Sequence, residues 1–408
     1  MTAYLDHAAT TPMHPRAIEA LVDQLARTGN ASSLHDAGRA ARKVVEEARE
    51  ALAPLLGARP SEVVFTGGGT EADNLAVKGL FWSRSAAEPA RRRVLVSAVE
   101  HHAVLDPAFW LAAHAGAEVV LLPVDGQGRL DLEALSTELE EHGPDVALIS
   151  VMWANNEIGT VQPVAEVVRL ARRFGVPVHS DAVQAFGHLP VDFAASGLHA
   201  MTVSAHKLGG PVGVGALVAR RGLDLTPVLH GGGQERGVRS GTLDVPAIRS
   251  FAVAADVAVA EAPGEAERVG ALRDALVERV RDLVPGAVLR GPQVGPEAPP
   301  GPRDADGRGS PARLPNNAHL TFPGCEGDSL LYLLDSQGIQ CSTGSACQAG
   351  VPQPSHVLLA CGVGEHEARG ALRFTLGRTS TTADVDALVA ALPDVVRRAQ
   401  AAGLATGR

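Results

Sequence analysis

Short apolar runs alternate with amphipathic stretches through the first half of the chain. Val63-Val64-Phe65, Val94 to Val96, Val119 to Leu122, Val146 to Met152, Val176 to His179 and Ala200-Met201-Thr202-Val203 are brief and continuous. That is the pattern of strands buried on both faces. Glu71 to Leu80 and Val164 to Phe174 carry helical spacing between them. Ahead of these lies a short polar arm, Asp6-His7-Ala8-Ala9-Thr10-Thr11-Pro12, leading to a helix that begins near Pro15. A cap-rich loop, Gly29-Asn30-Ala31-Ser32-Ser33, then precedes a helix with Leu34, Ala37, Ala41, Val44, Val45, Ala48, Leu52 and Leu55 at helical spacing, ending before Gly57. Strands alternating with helices predict an α/β fold, a doubly wound and mostly parallel sheet covered on both faces. In such sheets ligands collect at the carboxyl ends of the strands, so the post-strand loops are the place to look for chemistry.

After about Val245 the texture changes to an Ala-rich helix, then to Leu289-Arg290-Gly291-Pro292 and a segment rich in Pro, Gly and charge that runs to Ala312. The latter reads as an exposed, mobile insertion without catalytic importance. A strand at Ala318 to Phe322, a helix from Asp328 to Gln337, a strand at Arg373 to Leu376 and a last helix from about Asp384 predict a smaller α+β domain. The expected organisation is an arm over 1–15, a large domain over 16–250 and a small domain over 251–408, with the insertion at about 292–312.

With 408 residues, 45% hydrophobic and 20% charged, the chain has room for two domains of ordinary globular composition. A net charge of −10 argues against nucleic acid or an anionic membrane as the main partner. No apolar run approaches a membrane span, and the N-terminus shows no export pattern, so a cytoplasmic protein is expected. Four cysteines, without C-x-x-C or H-E-x-x-H, support neither a disulfide framework nor a zinc site.

Lys207, in Ser204-Ala205-His206-Lys207-Leu208-Gly209-Gly210, sits just past a strand. It is either a snorkelling surface charge or a partly buried amine able to hold pyridoxal phosphate as a Schiff base. Its company favours the second. Gly67-Gly68-Gly69-Thr70 ahead of a helix offers backbone donors to a phosphate, or is only a tight turn. Asp181, directly after a strand, suits a carboxylate that keeps a pyridine nitrogen protonated, or a helix cap. His101 is a candidate ring-capping residue or a hydrogen-bonded strand-end histidine, and Asn156 and Gln184 are candidate donors to the cofactor phenolate. Cys347 lies in Cys341-Ser342-Thr343-Gly344-Ser345-Ala346-Cys347, a small-residue segment suited to an exposed, mobile thiol; Cys341 reads as packed, Cys325 and Cys361 as structural. Arg373, between apolar strand residues, wants a carboxylate from the protein or from a substrate.

Together with Thr70-Glu71-Ala72-Asp73-Asn74, Glu100-His101-His102-Ala103-Val104-Leu105, Asn155-Asn156-Glu157-Ile158-Gly159, Gly231-Gly232-Gly233-Gln234-Glu235-Arg236, Arg239-Ser240-Gly241-Thr242 and Gly344-Ser345-Ala346-Cys347, these residues resemble cysteine desulfurases, the NifS/IscS-like enzymes of aminotransferase class V. The resemblance runs from Tyr4 to the end and lapses mainly between about Pro292 and Ala312. It implies the type I fold of pyridoxal-phosphate enzymes, with Lys207 as Schiff-base lysine, Asp181 as pyridinium partner and His101 stacked on the ring with an acid/base role. It makes Gly69, Thr70, Ser204 and His206 phosphate ligands, with Thr242 reaching the phosphate of a neighbouring subunit, hence a homodimer with shared sites. Asn156 and Gln184 fall at cofactor and substrate contacts, and Arg373, with Asn30, at the substrate carboxylate. Cys347 matches the thiol that takes the sulfur and that could ligate a cluster during transfer; no resident metal is implied. Ala31 stands where the family usually has Pro after the Asn, which is expected to loosen that loop slightly.

The implied reaction converts L-cysteine to L-alanine, leaves a persulfide on Cys347, and passes the sulfur to an acceptor protein, an iron–sulfur scaffold or a tRNA thiolase. The alternatives are a class V aminotransferase or selenocysteine lyase, which need not use Cys347, and a catalytically silent scaffold for sulfur assembly, against which the presence of both Lys207 and Cys347 argues.

Overall fold

The computed structural model describes residues 2–295, 298–303, 307, 309–344 and 353–405. After β1 (Ala3–Tyr4), the chain lays down β2 (Val63–Thr66), β3 (Arg93–Ser97), β4 (Glu118–Leu122), β5 (Val146–Ser150), β6 (Val178–Asp181), β7 (Ala200–Ser204) and β8 (Gly215–Ala219). The last seven form one sheet in the order β2-β8-β7-β6-β5-β3-β4. The ladders are parallel except those of β8, which runs antiparallel to both β2 and β7. This is the mostly parallel α/β sheet expected from the alternating pattern.

The strands differ from expectation at their ends. β5 stops at Ser150, and β6 extends to Asp181, so Asp181 is the last residue of its strand rather than the first beyond it. β8 went unread in the sequence because Gly215-Ala216-Leu217-Val218-Ala219 is rich in Gly and Ala and lacks the β-branched signature. The helix expected from Leu34 begins at Asp36, where the His35 side chain accepts from the Gly38 N–H, and Leu34 is left 80% exposed ahead of it.

The second unit is built on β9 (Val288–Leu289), β12 (Asn317–Thr321) and β14 (Ala371–Thr375), antiparallel in the order β14-β12-β9. Between them come β10 (Pro300–Arg303) and β11 (Gly309–Pro311), an antiparallel hairpin, and β13 (Ile339–Gln340), which pairs in parallel with β1. The hairpin falls inside the stretch read as an exposed insertion. Pro302 within it is buried, and the Ala312 carbonyl accepts from the Val161 N–H.

The two largest of the hydrophobic clusters fall one in each unit. Leu95, Ile149, Val203 and Phe251 belong to the one under the large sheet, and Leu276, Leu320, Phe374 and Leu392 to the other. The helix Val245–Leu283 passes from one to the other without a break. Ala247, Ile248, Phe251 and Ala255 pack in the first core, and Val269, Leu276, Val277 and Val280 in the second. The boundary expected at 250/251 therefore lies inside a continuous helix. Ala3 and Leu5 of the arm are buried in the second core, so the start of the chain packs with the small unit. Among the described residues no helix is long and apolar enough to cross a membrane.

Candidate active site

The carboxyl ends of β5, β6 and β7 open onto a cavity of about 380 Å³. Gly69, Thr70, His101, Asn156, Asp181, Gln184, Ser204, His206 and Lys207 line it from the large unit, and Arg373, Ser342 and Gly344 from the small one. Each large-unit residue occupies a strand end, the loop after it or, for Gly69 and Thr70, the first turn of the helix that follows, as open parallel sheets dictate.

Lys207 follows β7 in a short 3-10 turn, and its Nζ donates to the carbonyls of Ala8 and Ala9 at 2.6 and 2.7 Å. Burial, reinforced by the Arg373 cation and opposed by Asp181 and Asp6, lowers its pKa to about 8. A substantial neutral fraction near pH 7–8 is what a nucleophilic lysine needs. Asp181 is buried; burial raises its carboxyl to about 6 against the opposing effects of the Val183 N–H, which donates to Oδ1 at 2.8 Å, and of Lys207.

His101 caps the helix His102–Ala115, its Nδ1 accepting from the Ala103 N–H at 3.1 Å. Burial, then Lys207, lowers its pKa to about 4, so the ring is neutral with its proton on Nε2. His206 is lowered to about 4 by the same two causes. The helix Gly69–Ala87 starts without a side-chain cap, leaving first-turn N–H groups at the cavity wall. A Cβ on Gly69 would lie 3.0 Å from Val183 Cγ2, so a larger residue would have to push that side chain aside. The Ser204 hydroxyl, buried beside that turn, has no hydrogen-bond partner among the described residues.

Arg373 stands on β14 and is buried; its Nη2 donates to Asp6 Oδ1 at 2.8 Å and its Nη1 to the Asn156 carbonyl at 3.0 Å. Its Nε, also buried, is unpartnered among the described residues. Gln184 Nε2 donates to the Ala8 carbonyl at 3.0 Å, and Ala8 N–H to Thr375 Oγ1 at 2.8 Å. The arm thus crosses the site and ties the Lys207 and Arg373 walls together. In the sequence it shows only as a polar lead-in. Asp6 carried a signal, an acid ahead of apolar packing residues, but carbonyl acceptors such as Ala8 and Ala9 carry none.

Two candidates lie away from the cavity. Asn30 is exposed, its Oδ1 accepting from the Ser32 N–H at 2.9 Å. Thr242 is exposed at the end of a loop that is itself firmly anchored. Glu235 in that loop is buried against Arg49 at 2.6 Å, and Arg239 grips Glu71, the residue after Thr70, at 2.6 and 3.1 Å. Cys347 lies outside the described residues. Cys341 is buried, and burial followed by the Asp6 charge pushes its thiol up to about 12.

The aminotransferase class-V family model matches residues 3–297 and 307–388. An IscS-like cysteine desulfurase of Mycobacterium tuberculosis is 57% identical over 403 residues, covering 99% of this chain and 98% of that protein. The cysteine desulfurase NifS of Azotobacter vinelandii is 40% identical, with 96% and 92% covered. A solved NifS-like protein from Rickettsia africae superposes with a TM-score of 0.84 at 30% identity, covering 97% of this chain and 100% of that one. The chain belongs to the aminotransferase class V family, in its branch of IscS/NifS cysteine desulfurases.

Proposed function

We propose that this chain takes sulfur from L-cysteine, releasing L-alanine, with pyridoxal phosphate held in the cavity and Cys347 as the sulfur-accepting thiol. The observation that carries the reading is the pairing of Lys207, shifted to about 8, with buried Asp181 in one cavity. The residues fit that cofactor. The uncapped turn at Gly69 and Thr70 and the unpartnered Ser204 hydroxyl suit a phosphate, with His206 beside them, and Asp181 suits a ring nitrogen. When bound, the cofactor supplies an electron sink for the bonds at the substrate Cα.

The chain's own residues divide the remaining work. Lys207 would hold the cofactor, and its neutral Nζ would take the substrate Cα proton and return it. Arg373, at the cavity wall, would bind the substrate carboxylate, with Asn156 assisting. His101, neutral at the cavity wall, would carry protons beside the cofactor, and Gln184 and Asn156 would help hold it. Cys347, as thiolate, attacks the substrate sulfur, forms the S–S bond as the C–S bond breaks, and keeps the sulfur as a persulfide for exchange. That a solved relative, SspA, 31% identical with a TM-score of 0.75, was determined in complex with cysteine supports the substrate. Thr242 completes the phosphate site of a second copy, giving a homodimer with shared sites; the acceptor is an iron–sulfur scaffold or a tRNA-thiolating protein, in the cytoplasm.

The test is alanine formation from L-cysteine by protein loaded with pyridoxal phosphate. Wild type releases alanine and Lys207→Ala does not; absence of alanine from a fully loaded wild type would contradict the reading.

A further inference from the structure

Behind Asp181 lies a buried acidic cluster with no task in the chemistry above. His179 and Asp181 alternate onto one face of β6, and Thr202 of β7 is in register with Asp181. Asp73, on the helix Gly69–Ala87, borders the same cavity as Asp181, with His179 Nε2 3.5 Å from its Oδ1. It is 1% exposed, and neither carboxyl oxygen reaches hydrogen-bond geometry with any described residue.

None of the groups around it supplies a positive charge. Burial lowers His179 to about 3, so its ring is neutral, engaged with Ser150 Oγ at 2.9 Å and Thr202 Oγ1 at 3.0 Å. The charged groups acting on Asp73 are the carboxyls of Asp181 and Glu100, both favouring its neutral form after burial, while the Thr202 hydroxyl opposes them by hydrogen-bonding to the anion. Glu100 is fully buried too, with Oε2 unpartnered. Lys207 is the cation of the group, and it acts on Asp181. Of three buried acids, Asp181 is thus the one facing a positive charge and the place where a ring nitrogen would add another. A buried carboxylate that faces two other carboxyls and no cation, with a single hydroxyl to steady it, is neutralised by taking a proton.

We propose that Asp73 is a positioning residue for Asp181: at neutral pH it carries a proton, offers that O–H to the Asp181–Thr202–His179 face, and leaves Asp181 as the carboxylate that ionises against the cofactor ring. The inference deepens the cofactor reading and rests on it for the role of Asp181. The proton on Asp73 stands apart from that reading and can be measured without cofactor. His179 adds a further neutral group, and burial raises Glu100 above its usual range against the Met152 N–H, so Asp181 is the acid of the three that a cation faces.

The experiment compares wild type, Asp73→Asn and Asp73→Ala. Asn keeps a neutral donor in nearly the shape of the protonated acid; Ala removes it. In cofactor-free protein, folding equilibrium constants are measured in urea from pH 5 to 7. A carboxyl protonated in the fold and ionised in the unfolded chain costs wild type about tenfold per pH unit relative to Asp73→Asn as pH rises. That rising ratio is expected; a flat ratio shows an ionised Asp73 and overturns the proposal. Equilibrium dialysis against pyridoxal phosphate then tests positioning. Asp73→Asn binds within about threefold of wild type, and Asp73→Ala about tenfold more weakly, the loss of one hydrogen bond at the site. Equal binding by all three, or an Asn variant as weak as Ala, also overturns it. A wild type that takes up no pyridoxal phosphate sinks the cofactor reading instead, and leaves the urea result to decide the proton on Asp73. If the Ala variant does not fold, the Asn variant decides alone in both measurements.

Discussion

Asp6 and Arg373, 367 residues apart in the chain, form an ion pair of 2.8 Å at the wall of the catalytic cavity. The pair exists because β1 joins β13 and an isolated bridge joins Asp6 to Thr375, which lays the arm alongside β14. Asp6 occupies Nη2 and Asn156 occupies Nη1, so the guanidinium is oriented before any substrate arrives. Arg373→Ala is expected to lower kcat/KM for L-cysteine about 10- to 100-fold, the loss of a charge-assisted contact of about 1.5–3 kcal/mol. Asp6→Asn, which leaves the Asn156 contact in place, should cost less than about tenfold. Steady-state alanine assays check both, and an unchanged kcat/KM in Arg373→Ala contradicts the assignment.

Lys207 gives a pH signature. Burial lowers the folded amine to about 8, so its neutral fraction rises about tenfold per pH unit below that value and levels off above it. The rate at which cofactor-free protein takes up pyridoxal phosphate, followed by visible absorbance, should show the same profile. A rate still climbing steeply above pH 9 would mean an ordinary exposed lysine.

Acid stability should report His319. Its ring is fully buried opposite Arg373 in the β12–β14 ladder, and a Cβ on Gly344 would lie 3.0 Å from its Nε2. Burial, with Arg373 and two further arginines, lowers it to about 3 despite the opposing Thr343 backbone. Between about pH 3 and 6.5 the unfolded chain binds the proton and the fold does not. Its contribution is therefore complete above pH 6.5 and is lost as pH falls. Urea unfolding at pH 7 and pH 5 should show His319→Asn losing less stability than wild type, by up to about 1.4 kcal/mol per pH unit. An identical loss in both proteins contradicts a neutral buried ring.

The Arg49–Glu235 pair anchors the loop that ends at Thr242. Glu235 accepts from Arg49 at 2.6 and 2.8 Å and from the Phe65 N–H at 2.7 Å, holding a left-handed backbone with φ of 45°. Glu235→Ala leaves the buried Arg49 cation with the half-exposed Glu46 alone, at 3.1 Å, and should destabilise the fold by about 1.5–3 kcal/mol. Denaturant unfolding measures it; a loss below about 0.5 kcal/mol would mean that Glu46 alone satisfies Arg49.

Much of the fold was legible because continuous apolar runs such as Val94 to Val96 and Val146 to Ser150 can only be buried strands in this alternating context. β8 was not, since its Gly and Ala residues are chosen for close packing: a Cβ on Gly215 would lie 2.7 Å from the Val203 carbonyl. Strand-end candidates such as Asp181, Ser204 and Lys207 could be named because parallel topology sends strand ends to one edge. The contacts that set their chemistry could not. The Ala8 and Ala9 carbonyls that hold Lys207 have no side-chain signature, and Asp73 becomes notable only through the absence of partners around it. Leu34 fitted a helical row yet lies outside the helix, because a capping side chain at His35 sets the start and periodicity does not.

The central claim is sulfur transfer from cysteine to one thiol of this chain. Protein loaded with pyridoxal phosphate is treated with L-cysteine without reductant and digested, and the cysteine-bearing peptide is fragmented in the mass spectrometer so that each cysteine is read separately. One added sulfur is expected on Cys347, none on buried Cys341, and none anywhere in Lys207→Ala. Alanine formed while Cys347 stays unmodified, or undiminished turnover in Cys347→Ser, would contradict it.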